Sequence, residues 1–178
     1  TQVQYINIET ALKEKKDFES ILHKEAPNLQ NDTIYDVLGE LYKKQRITLN
    51  EIIENFALNL KDFLKSVATK FRFEYIDLDN IDIDYKLCEK VPLNQLKTYE
   101  ALPIKEDEIA VYVAFKNPFD VIAQDKVQNL FNRKLLKVAC ADPAQIEKYI
   151  NKVALNESIK DVVAEIRREL SSSASQGQ

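Results

Sequence analysis

The sequence predicts an α+β fold: a small N-terminal helical bundle, then a β-α-β-β-α-β-α unit with a small mixed sheet. Three observations predict it. Apolar residues recur at helical spacing over the first seventy positions, strand-like alternation sets in at Phe71, and helix-start signals separate the later strands. These shifts divide the chain into a helical subdomain over 1–70, an α+β subdomain over 71–155, a C-terminal helix over 156–170, and a linker or disordered tail over 171–178.

The first helix is expected over Thr10 to Glu25, with Leu12, Phe18, Ile21 and Leu22 on one face and Pro27-Asn28 ending it. Asp32 or Thr33 can cap the second, which turns Ile34, Val37, Leu38, Leu41 and Tyr42 inward. Thr48 and Glu51 make a capping-box pattern for a third helix through Ile52, Ile53 and Phe56. A fourth runs near Lys61 to Thr69, with Phe63, Leu64 and Val67 inward.

From Phe71 to Leu78 apolar and polar side chains alternate, which predicts a strand. Pro92 suits the first turn of a short helix through Leu96, because its missing N–H costs nothing there. Ala101 to Ile104 and Ile109 to Phe115 read as strands joined by the acidic turn Lys105 to Glu108. Asn117-Pro118 starts a helix with Val121, Ile122, Val127, Leu130 and Phe131 on its apolar side. Leu135 to Ala139 is a further strand, and Asp142-Pro143 opens a helix through Ile146, Tyr149 and Ile150. Asn156 to Leu170 reads as one more amphipathic helix, and the serine-rich end carries no core-forming residue.

Composition excludes several functions. With 45% hydrophobic and 30% charged residues in 178, the chain can bury a core without metal or disulfide staples. Its net charge of −4 has both signs mixed throughout, unlike the basic field that phosphate binding needs, so no nucleic-acid partner is expected. No apolar run approaches the ~20 residues of a membrane span, so no direct membrane insertion is expected. The chain opens on Thr1 rather than methionine, and part of a longer protein is expected.

No catalytic constellation emerges. The only glycines, Gly39 and Gly177, cannot build a phosphate-cradling loop, so the chain should neither bind nor hydrolyse ATP. His23 lies on a charged helix end, where a solvated or capping role fits better than catalysis. Cys88 and Cys140 are far apart in apolar stretches and read as small buried hydrophobes of a reducing compartment. The acidic run Asp77 to Asp84 fails the EF-hand pattern, because Asp82 and Cys88 stand where glycine and glutamate are required. It reads as a solvated loop with Asx-turns, and Asp82 with Asp84 as an acid/base pair finds no support beyond their acidity. No catalytic residue, metal site or cofactor is expected.

A resemblance then becomes visible. Phe73 to Leu78, Ile83-Asp84, Val91-Pro92 with Leu96, Tyr99 and Leu102-Pro103 follow one another in a familiar order. Val111 to Ala114, Asn117-Pro118, Asp120, Val138 to Ala141 and Ile146 continue it. The stretch from Phe71 to Ile150, and more loosely the part from Asp32, resembles the N-terminal domain of the type II secretion and type IV pilus assembly ATPases. The Leu-Pro strand entry and Ala114 to Asp120 are its most specific parts.

The resemblance implies that the protein's own ATPase core lies beyond Gln178. It also implies a cytoplasmic domain, peripheral to the inner membrane, that docks the motor to the cytoplasmic domain of an inner-membrane secretion or pilus platform protein. Some members bind cyclic di-GMP through a motif opening Arg-Leu-Gly. Here Leu38, Gly39 and Ile47 preserve parts of it, but Val37 replaces the arginine and Arg46 stands near the second glycine's place. Nucleotide binding is therefore not expected, and Leu38 reads as helix core with Gly39 at a close helix contact.

Leu38, Leu41, Ile53, Phe56 and Leu64 should pack mainly together, and Ile76, Val111, Val113, Leu130, Leu136, Val138 and Ile146 should form a second core. The partner-binding candidates are Tyr5, Tyr35 and Tyr42, whose amphipathic rings suit contacts.

Overall fold

The computed structural model describes residues 16–44, 49–132 and 134–176. Among the described residues the helical half holds four helices: α1 over 16–25 (10–15 of the expected first helix lie outside the described residues), α2 Asn31–Lys43, α3 Leu49–Phe56 and α4 Leu60–Phe71. Each turns one apolar stripe inward, and Phe18, Leu22, Ile34, Leu38, Leu41, Ile52, Phe56, Phe63, Leu64 and Val67 are buried in a shared cluster. Asn59 caps α4 by accepting from Asp62 N at 3.0 Å. Neither Asp32 nor Thr33 caps α2. Its N-cap is Gln30, with no side-chain bond, and Asp32 lies inside the first turn, where its charge meets the positive end of the helix. Thr48 lies outside the described residues.

The second half runs β1 Glu74–Tyr75, a 3-10 turn, α5 Tyr85–Cys88, α6 Leu93–Tyr99, β2 Ala101–Glu106, β3 Ala110–Phe115, α7 Val121–Gln128, a second 3-10 turn, β4 Leu135–Cys140 and α8 Pro143–Gln176. The sheet order is β1-β4-β3-β2. β2 and β3 form an antiparallel hairpin with Leu102 opposite Ala114, whereas β4 pairs in parallel with β3 and with β1. The fold is therefore α+β with a small mixed sheet, as expected. Asp107 closes the hairpin turn, its Oδ1 accepting from Ile109 N at 2.8 Å and Ala110 N at 2.7 Å.

The two residue sets expected to pack apart do fall into different clusters. Leu38, Leu41, Ile53, Phe56 and Leu64 join the helical cluster; Ile76, Val111, Val113, Leu130, Leu136, Val138 and Ile146 join the sheet cluster. The halves nevertheless touch, because Cys140 of β4 is buried in the helical cluster, and Phe73, Tyr75 and Phe119 pack against it.

Four local expectations are corrected. Only Glu74 and Tyr75 of the Phe71 to Leu78 stretch form strand, because α4 continues to Phe71 and ends on Arg72 in the left-handed region at φ 60°. Val121 and Ile122 do not face the core but are 60% and 69% exposed, since Asp120 caps α7 so that Ala123 and Val127 point inward. No separate helix begins at Asn156, because α8 runs unbroken from Pro143, and residues 171–176 are its last turns rather than a linker. Gly39 makes no close helix contact, for a Cβ there would meet no described atom within 4 Å.

Candidate functional site

The residues singled out in the helical half sit on α2. Leu38 is fully buried, Val37 is half-buried against the same cluster, and Gly39 is half-buried with open space beside it. Arg46 and Ile47, the later part of the nucleotide motif, lie outside the described residues, as does Tyr5. Tyr35 is 44% exposed. Tyr42, two turns further along the same face of α2, is half-buried against the helical core.

Potential catalytic groups are dispersed. His23 is exposed on α1, and burial pushes the thiols of Cys88 and Cys140 up to about 12, so neither is a ready nucleophile. Cys88 Sγ donates to Pro103 O at 3.3 Å, an interior contact of the sheet half. Among the described residues, no group of three or more His, Cys, Asp or Glu could hold a metal ion.

The acidic run does organise something, though not a cation. Asp77 Oδ1 accepts from Asp79 N, an Asx-turn at the 3-10 segment, and Asp84 Oδ1 accepts from Lys86 N and Leu87 N to cap α5. The run also grips the root of α8. Gln145 Nε2 donates to Asp77 Oδ1 and Asp79 Oδ2 at 3.0 Å each, while Gln145 Oε1 accepts from Leu78 N. Lys148 Nζ and Tyr149 OH both donate to Asp79 Oδ1, at 2.5 and 2.9 Å. These donors hold the Asp79 carboxyl below its usual range, the Lys148 bond contributing most. Sequence reading missed Gln145 and Lys148, which lie three residues apart on one helix face; only that spacing signals a shared target.

The other feature sequence reading missed is the outer part of α8. Ile146, Ile150 and Val153 are buried against the sheet half, and Lys160 ion-pairs with Glu89 after α5. Further out, Leu155, Ile159, Val162, Val163, Ile166 and Leu170 are 40–65% exposed. At about 100° per residue these six fall in an arc about 100° wide, and its centre lies roughly 155° around the helix from the buried face. α8 thus changes sides: its first turns bury one face in the fold, and its later turns present a different apolar face outward.

Residues 71–158 match the model of the MshEN domain. This part of the chain belongs to the MshEN family. The MshEN segment begins at the last residue of α4 and takes in the whole sheet and the root of α8. The expected kinship with the N-terminal domain of the secretion ATPases stands. A solved structure of MshE with cdg superposes with a TM-score of 0.64 at 18% identity, covering 76% of this chain and 96% of that one. The N-terminal domain of XpsE superposes with a TM-score of 0.51 at 17% identity, covering 78% and 93%. At such identities the likeness is one of fold. No curated protein matches the chain. Among the described residues no helix is long and apolar enough to cross a membrane.

Proposed function

We propose that the chain is the non-catalytic docking and regulatory domain of a type II secretion or type IV pilus assembly ATPase. It ties the motor to the cytoplasmic part of an inner-membrane platform protein. The MshEN match over 71–158 carries this reading, and the fold likeness to the N-terminal domain of XpsE supports it. On this reading the ATPase core is another part of the same protein, and the domain sits in the cytoplasm, held at the inner membrane by its partner. The docking face is assigned to the helical half, where Tyr35 offers an exposed ring and Tyr42 a half-buried one along α2, with Tyr5 in the same assignment. Pull-down of the purified cytoplasmic part of the platform protein by the immobilised chain tests the reading. Retention is the expected result, and none would oppose it.

The likeness to MshE, solved with cdg, favours a second reading, a cyclic di-GMP-sensing module. Leu38 and Gly39, with Ile47 later, are the parts of the motif this chain keeps. Against it, Val37 replaces the motif's arginine and packs into the helical cluster instead of offering a cation. A calorimetric titration with cyclic di-GMP separates the two: saturable heat at micromolar ligand would promote sensing.

A further inference from the structure

The outer apolar stripe of α8 is flanked by charge in an ordered way. On one side of the stripe stand Glu165 and Glu169; on the other stand Arg167, which carries the complementarity, and Lys160, which already pairs with Glu89 of its own chain. All four lie roughly 70–110° from the stripe's centre at about 100° per residue. A helix with acid on one flank and base on the other is complementary to itself in one orientation only. Two such helices side by side and parallel, related by a two-fold axis along them, bring the acidic flank of each onto the basic flank of the other. Turned antiparallel, they bring acid onto acid and base onto base.

We propose that α8 pairs in parallel with α8 of a second copy of this chain. Ile159 and Ile166 lie one heptad apart, and Leu155 and Val162 complete the alternating three- and four-residue spacing of a two-stranded seam. In such a pair Glu165 and Glu169 bracket the partner copy's Arg167, each about 3 Å from it along the axis at 1.5 Å per residue. The stripe faces away from the surface α8 packs on, so pairing needs no rearrangement of either fold. Residues 158–174 are exposed throughout, which leaves the seam open to a second helix. This inference does not depend on the docking reading.

Sedimentation equilibrium on the full chain tests it, with circular dichroism to confirm that each variant is folded. The expected result is a reversible dimer that Ile166→Asp abolishes and that Glu165→Lys with Glu169→Lys weakens about tenfold or more. Ser173→Cys, on the stripe's own side of the helix, should form a disulfide with its copy under mild oxidation, because only a parallel pair brings the two positions together. Cys88 and Cys140 are buried and do not compete. A chain that stays monomeric at high concentration would overturn the proposal. So would a dimer indifferent to Ile166→Asp, or one in which Ser173→Cys fails to cross-link.

Discussion

Phe71, the last residue of α4, meets Phe119 edge-to-face with ring centroids 4.7 Å apart. Phe119 follows Asn117-Pro118, just ahead of α7, so this contact joins the helical half to the sheet half. Phe18 and Phe73 add their own tilted or edge contacts to Phe119, at 5.5 and 5.6 Å. The rings come from three separate stretches of sequence, and each needs the others to be covered.

Phe119→Ala should therefore weaken both halves together. The ring is half-buried, so the expected loss is about 2 kcal/mol, below the ~3–5 kcal/mol of a fully buried phenylalanine. Urea unfolding followed by circular dichroism and by tyrosine fluorescence checks this; an unchanged midpoint would mean that the aromatic seam carries no stability.

Much of the architecture was legible because local signals agreed with burial. Asp142-Pro143 does open α8, with Asp142 Oδ1 accepting from Ala144 N at 2.8 Å. Strand alternation located β2, β3 and β4 to within a residue or two at each end. Where the reading failed, a tertiary effect overrode the local one. Phe71 and Phe73 alternate like strand residues, yet both serve the aromatic seam, and Phe71 does so from a helix. Val121 and Ile122 are apolar but exposed, which no helical period can reveal. The serines after Leu170 stay helical because adding residues to an existing helix is far easier than starting one. The tyrosines of α2 stand out by residue type alone, whereas the outward stripe of α8 reads as an ordinary amphipathic helix, because a sequence does not show which face is already covered.

Gly39 and Leu38 make opposite predictions from adjacent positions. Leu38→Ala empties a fully buried site and should cost about 3 kcal/mol. Gly39 is helical, with no described atom near a new Cβ, so Gly39→Ala should stabilise by about 0.5–1 kcal/mol. Chemical denaturation measures both, and destabilisation by Gly39→Ala would restore the close contact first expected there.

Arg72 closes α4 in the left-handed region without being glycine. That conformation costs a side-chain-bearing residue about 1 kcal/mol or slightly more, so Arg72→Gly should raise stability by about that amount. A lower melting temperature in this variant would show that the arginine side chain contributes more than its backbone costs.

The buried thiols fix the sign of one pH effect. Cys88 and Cys140 are raised from 9.0 to about 12 by burial, so the unfolded chain loses these protons first. The stability they contribute is full below 9.0 and declines as pH rises towards 12. Replacing both with alanine should flatten that alkaline decline. Native protein should resist thiol-labelling reagents at mildly alkaline pH and react only on unfolding.

The docking role is tested most directly by titrating the cytoplasmic part of the platform protein with the chain in a calorimeter, in parallel with Tyr35→Asp and Ile166→Asp. Saturable binding is expected, abolished by Tyr35→Asp and left intact by Ile166→Asp, if the α2 face docks the partner and the α8 stripe pairs copies of the chain as proposed. Absence of saturable binding, or binding lost in Ile166→Asp but kept in Tyr35→Asp, would contradict that proposal.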